Sequence, residues 1–205
     1  DKGELLIGGL TPTEQDVFEL SDEFVKSSLS STGVNLFEMD SYSKRLWLEP
    51  ALSILAIDAP PVVESVNLLI PKAKAKVSLR LPPTEDPDHA MNMLEQHIKE
   101  NTPFNANVEF IPEAKGKGIL VDSKNEFSSK LIESFNKHWE NEVAYMGVGG
   151  SIPFANVFIN EFPNSEIVLV GAGDEEGNAH APNESVNISD IQRLIDSLTD
   201  AISNY

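Results

Sequence analysis

Two loops bracket a single apolar run in residues 145–184, and this arrangement restricts the fold more than any other part of the chain. At one end stands Gly149-Gly150-Ser151-Ile152-Pro153. At the other stands Asn178-Ala179-His180-Ala181-Pro182-Asn183-Glu184, with Ile167-Val168-Leu169-Val170 between them. The order predicts strand, loop, strand, loop, helix. Residues 143–146 form a short apolar run that stops at glycines, as an exposed turn with backbone N–H groups facing an anion requires. Ser151 adds a hydroxyl, and Pro153 suits the first turn of a helix. Ligands of α/β sheets gather at the carboxyl ends of strands. Both loops are therefore expected at one rim, with His180 close to the turn at 149–151.

A net charge of −18 on 205 residues disfavours nucleic acid, because binding to a phosphate backbone is driven by Lys and Arg that release counterions. No apolar run is long enough to cross a bilayer, and no segment has the form of a signal peptide, so no membrane partner is expected. Cys is absent, which excludes disulfides, a thiolate nucleophile and a Cys-based zinc site, and a cytoplasmic location is expected.

Taken in order, Leu5-Leu6-Ile7 before Gly8-Gly9 reads as a strand or extended arm. Val17, Leu20, Phe24, Val25 and Leu29 follow Thr11-Pro12-Thr13-Glu14 at the spacing of one helix face. Residues 52–57 read as a strand buried on both faces or nearly so. Lys72, Lys74 and Lys76 alternate with Ala73, Ala75 and Val77, which predicts a half-exposed strand whose cationic face blunts a sheet edge. Asp86-Pro87 opens a helix to about Lys99 with Ala90, Met93, Leu94, His97 and Ile98 inward, and His89 and His97 read as surface or boundary histidines. Residues 108–112 are a further strand candidate. Lys115-Gly116-Lys117-Gly118 marks a boundary, so residues 1–112 and 113–205 are expected as two lobes. Beyond it, Phe127, Leu131, Ile132, Phe135 and Trp139 stripe one long helix, residues 153–160 form a short one, and an amphipathic helix closes the chain from Ile188. His138 is given no catalytic role, and Asp174-Glu175-Glu176 reads as a solvated acidic loop.

A Gly-Gly-Ser-Ile-Pro turn ahead of an Ala-His-x-Pro-Asn-Glu loop, in this order, resembles the M20 metallopeptidases, most closely their dipeptidase-like members. The likeness extends over most of the chain: residues 67–80, an Asn ahead of an Ile-Pro pair with an Arg closing the run, resemble a strand of that family's lid. The resemblance implies an α/β fold of two lobes, a partial ferredoxin-like lid (dimerisation) domain over 1–112 and the C-terminal part of a zinc-peptidase-like catalytic domain over 113–205. It implies that Asn67, Arg80, Gly150 and Ser151 bind the substrate, a small peptide or N-acyl amino acid, and that His180 ligates one of two divalent metal ions, zinc in the first instance. It also implies a homodimer formed through the lid.

The chemistry of these residues agrees. A guanidinium forks a carboxylate, a glycine turn offers backbone donors, and neutral imidazole ligates zinc. Each residue also has a plainer reading: Arg80 pairing across the sheet, Ser151 capping the helix after Pro153, Asn67 holding a turn. The family builds its metal centre largely from earlier segments, a His-x-Asp, a bridging Asp and a Glu-Glu pair with the general base; these segments are absent here, and Glu175-Glu176 lies instead in the loop beside His180. No catalytic residue is therefore assigned to this chain. Two functions follow: a fragment of a metal-dependent dipeptidase-like hydrolase, inactive alone, or a non-catalytic binding or assembly module on the same scaffold.

Overall fold

The computed structural model describes residues 3–29, 33, 39–121, 124–148, 152–174 and 177–205. The chain divides into two compact units, Asp1–Ile119 with Met146–Ser151, and Leu120–Tyr145 with Ile152–Tyr205. Helices and strands mix as an α/β chain requires, in the order α1 (Asp22–Leu29), α2 (Tyr42–Trp47), β1 (Ala51–Asp58), β2 (Lys74–Arg80), α3 (Pro87–Glu100), α4 (Glu126–His138), α5 (Pro153–Glu161) and α6 (Ile188–Ser203).

In the first unit β1 and β2 pair antiparallel, from Ala51 opposite Arg80 to Asp58 opposite Lys74, with an irregularity between Ile54 and Ala56. The expectation that residues 52–57 are buried on both faces is overturned: Ile54 and Ile57 are 63% and 68% exposed. A two-stranded ribbon has no interior strand, and no further strand pairs with it among the described residues. In β2 the lysines are exposed as predicted, but Ala75 is exposed too and Val77 and Leu79 are only half-buried, so the inward face expected of a half-exposed strand is weak. α3 begins where Asp86-Pro87 placed it. The Asp86 carboxylate accepts the amides of Asp88 and His89 at 3.0 and 2.9 Å, and Ala90 and Leu94 turn inward. His89 pairs through Nδ1 with the buried Glu85 at 2.7 Å.

The first helix is shorter than its apolar spacing predicts. The amide of Thr13 donates to Leu48 O at 2.8 Å and that of Leu20 to Ser43 Oγ at 2.8 Å, so residues 13–20 spend backbone donors on α2 and its C-terminal end instead of on a helix of their own. α2 is an element that the sequence reading did not assign. Ser41 caps it by accepting the Lys44 amide at 3.0 Å. Later in the chain Gly147 comes so close to Trp47 that an added Cβ would lie 2.5 Å from the indole side chain.

The second unit is built on α4 against α6. The pairs Phe127–Tyr205 (5.3 Å between rings), Ser134 Oγ to Ser197 O (2.7 Å) and Trp139 Nε1 to Ser197 Oγ (3.3 Å) run in opposite sequence directions, so the helices are antiparallel. Leu131, Ser134, Ser197 and Ala201 are buried along the seam, and the small residues let the backbones approach. Asn125 and Asn187 cap the two helices. Glu166 adds a carboxylate at the start of α4, accepting the amide of Phe127 at 2.8 Å.

The strands expected at 5–7, 108–112, 143–146 and 167–170 do not form. Leu169 and Val170 are about half exposed, so the apolar run at 167–170 is not the buried strand its composition predicts. Apolar composition makes a segment able to pair, whereas a strand exists only where a neighbouring backbone completes its ladder.

Candidate functional site

Arg80 ends β2 on an exposed position, and the residue opposite is Ala51. Its guanidinium faces no cross-strand carboxylate and makes no ion pair among the described residues. A side chain with five donors in a planar fork is therefore presented to solvent, the state required for capturing a free carboxylate. Asn67 lies in the connection between the strands, in a bend where the amide of Leu68 donates to Val66 O at 2.7 Å.

Asn67 and Arg80 share the first unit, and no hydrogen bond joins them among the described residues. The connection carrying Asn67 leaves from the Asp58–Lys74 end of the ribbon, and Arg80 stands at the Ala51 end. At about 3.3 Å per residue the ribbon separates its two ends by roughly 20 Å. At the connected end Asp58, Pro60, Pro61, Lys72 and Lys74 line an open cleft that the sequence reading did not single out. Its signal lay in the Pro-Pro pair and the alternating lysines.

His180 belongs to the second unit and is exposed in a turn, with φ at +63°. Asn178 and Asn183 share the left-handed region at +49° and +65°. Such backbone is uncommon outside glycine and is tolerated best by Asn, Asp and His, and the loop supplies Asn at two of the three positions. The amide of Gly177 donates to Asp174 O at 3.0 Å, that of Ala181 to Asn178 O at 2.9 Å, and that of Ser185 to Gly177 O at 2.9 Å. The loop is thus closed at its base and raises one imidazole at its crown.

Gly150 and Ser151 lie outside the described residues, as does the 149–151 turn expected beside His180. Glu175 and Glu176 lie outside them too.

Among the described residues no three His, Asp or Glu side chains gather to hold a metal ion. His180 fits one ligand position, and a catalytic zinc takes three protein ligands. The chain's described residues do not by themselves make that centre.

One further constellation has the right residue types for acyl transfer. Ser134, His138 and Asp200 converge between α4 and α6, with His138 Nε2 at 3.6 Å from Asp200. The Ser134 hydroxyl, however, donates to Ser197 O and toward Asp200 Oδ2 at 3.2 Å, not to the imidazole, and it is buried. No nucleophile–base hydrogen bond exists, so the group is a helix-pairing network. Within it the bond from Lys137, foremost, holds the Asp200 carboxyl below its ordinary range.

Comparison with known proteins falls on the same reading. Residues 15–106 match the M20 peptidase dimerisation domain. The chain is 25% identical over 204 residues to a cysteinylglycine-S-conjugate dipeptidase of Corynebacterium striatum, covering 95% of this chain and 44% of that protein. Among solved structures it resembles an M20 family metallo-carboxypeptidase of Sulfolobus solfataricus at TM-score 0.72 and 21% identity, over 98% of this chain and 48% of the other. It resembles human carnosine dipeptidase 1 at TM-score 0.74 and 18% identity, over 100% and 46%. The chain spans about half the length of the proteins it matches, and at these identities the likeness to the solved structures carries the fold.

Proposed function

From the match of residues 15–106 to the M20 peptidase dimerisation domain we propose that the chain is part of an M20 metal-dependent, dipeptidase-like hydrolase of peptide or amide bonds. It supplies the substrate-carboxylate clamp and one metal ligand. Residues 1–112 act as lid and dimerisation lobe, residues 113–205 as part of the catalytic domain. Asn67 and Arg80 reach the substrate from the lid, Gly150 and Ser151 hold its carboxylate, and His180 ligates one of two divalent ions, taken as zinc. The substrate is a small peptide or N-acyl amino acid, a class whose free carboxylate an exposed guanidinium and a glycine turn suit.

The observation that carries the reading is the loop at 177–185, which raises an exposed imidazole on a base tied by backbone hydrogen bonds. A loop of that kind has no packing purpose, and left-handed backbone at three non-glycine positions concentrates at functional sites. The similarity to a curated dipeptidase over nearly the whole chain supports the same assignment. The exposed apolar residues of β1 support a lid that pairs with a second copy.

Zinc titration by calorimetry tests the ligand role. A single imidazole leaves most of the coordination sphere to water, so the chain alone is expected to bind zinc weakly, to lose that binding in His180→Ala, and to show no peptidase activity. Tight binding at unit stoichiometry that survives the substitution would place the metal elsewhere and overturn the assignment.

A further inference from the structure

Gly177 is buried at the neck of the His180 loop, and its surroundings leave no room for a side chain. A Cβ there would lie 2.8 Å from Ser185 O, 2.9 Å from Asp174 O and 3.3 Å from Asp174 Cβ. Two of those neighbours are backbone oxygens, which cannot swing aside as the end of a flexible side chain does. Both arms of the loop meet at this point. The Gly177 amide donates to Asp174 O, the Ser185 amide donates to Gly177 O, and the Ser185 hydroxyl reaches Asp174 Oδ2 at 3.4 Å.

We infer that Gly177, with Asp174 and Ser185, is the positioning clamp of His180: closure at the neck holds residues 178–184 in the left-handed turns that present the imidazole. The chain of cause is short. Closing a loop over so few residues forces its crown into tight turns, and the crown meets that demand with Asn178, His180 and Asn183 at positive φ. A methyl group at Gly177 must push the arms apart, which removes the demand and lets His180 relax to ordinary φ. The functional consequence, an imidazole held ready for a metal ion before the ion arrives, rests on the ligand reading given above. The geometric claim stands independently of it.

The test uses the whole chain labelled with 15N and 13C, as wild type and as Gly177→Ala, Ser185→Ala and His180→Ala. In the wild type the Ser185 amide is expected to be protected from hydrogen exchange, and the His180 Cα and Cβ shifts to report left-handed backbone. Gly177→Ala is expected to speed Ser185 exchange at least tenfold and to move the His180 shifts toward ordinary values, and Ser185→Ala to do the same to a smaller extent. Trp139 resonances serve as the control that α4 and α6 stay folded. Unchanged Ser185 exchange and unchanged His180 shifts in Gly177→Ala overturn the clamp. If Gly177→Ala instead disturbs Trp139, Ser185→Ala decides alone: faster exchange supports the clamp, none overturns it. Zinc added to the wild type reads the functional step separately through the His180 ring nitrogens. A ring response that weakens at least fivefold in Gly177→Ala supports positioning for metal. No ring response in the wild type removes the ligand reading and leaves the clamp as a claim about the loop alone.

Discussion

At the scale of single residues, Asp86 shows how one carboxylate both starts a helix and gives it a pH dependence. Its bond from the His89 amide, foremost, and that from Asp88 hold its carboxyl below the ordinary range. A folded-state value below the unfolded one means that the cap stabilises fully above the ordinary carboxylate range. That contribution is lost as pH falls through the lower folded value, a window below about pH 4. Asp86→Ala is therefore expected to lower the melting temperature at neutral pH, and the gap to the wild type to close in strong acid. Asp86→Asn keeps an acceptor for the two amides and is expected to remove most of the pH dependence with little loss at neutrality. A gap for Asp86→Ala that persists undiminished at pH 2 would show that the carboxylate is not the cap.

Elements differ in how far they support themselves. α4 and α6 bury a shared seam, and Leu131 within it is only 4% exposed. Leu131→Ala leaves a cavity that the small neighbours cannot fill, so it is expected to cost the second unit about 2–5 kcal/mol. Denaturation followed by Trp139 fluorescence measures it, and a loss under about 1 kcal/mol would contradict the burial. The ribbon of β1 and β2 stands at the other extreme. Ile54→Ala on its exposed face is expected to change the stability of the monomer by no more than about 0.5 kcal/mol, although the residue is as apolar as Leu131. Amides of β1 and β2 are likewise expected to exchange faster than those of α3 and α6 in the isolated chain, because an isolated hairpin is marginal in water.

For the whole molecule, the exposed ribbon and the net charge of −18 act in opposition. Leu52, Ile54, Leu55 and Ile57 offer an apolar surface to a second copy, and the shared negative charge repels it. The proposed homodimer should consequently tighten as salt rises, since screening weakens the repulsion and leaves apolar burial intact. Light scattering over a dilution series at low and high salt measures this. Ile54→Asp with Ile57→Asp is expected to raise the dissociation constant at least tenfold. A monodisperse monomer at high protein concentration and high salt would remove the dimer from the account.

What the sequence determined alone was the set of interactions that close within a few residues. Asp86-Pro87 fixed the start of α3, the stripe of Phe127, Leu131, Ile132 and Phe135 fixed α4, and Ile188 onward fixed α6, because helical hydrogen bonds and caps join near neighbours. The family words around His180 were likewise local and legible. Tertiary structure decided everything that needs a distant partner. It paired 51–58 with the lysine-bearing 74–80 and left 108–112 and 167–170 unpaired, although the last is wholly apolar, because a strand is completed by backbone far along the chain. It gave the donors of Thr13 and Leu20 to Leu48 and Ser43, which shortened α1. Strand pairing set Arg80 opposite Ala51 and left Asn67 in the connection between the strands, and closure at Gly177 set the left-handed turn of His180. Neither is written in the residues themselves, since both depend on which backbone atoms meet.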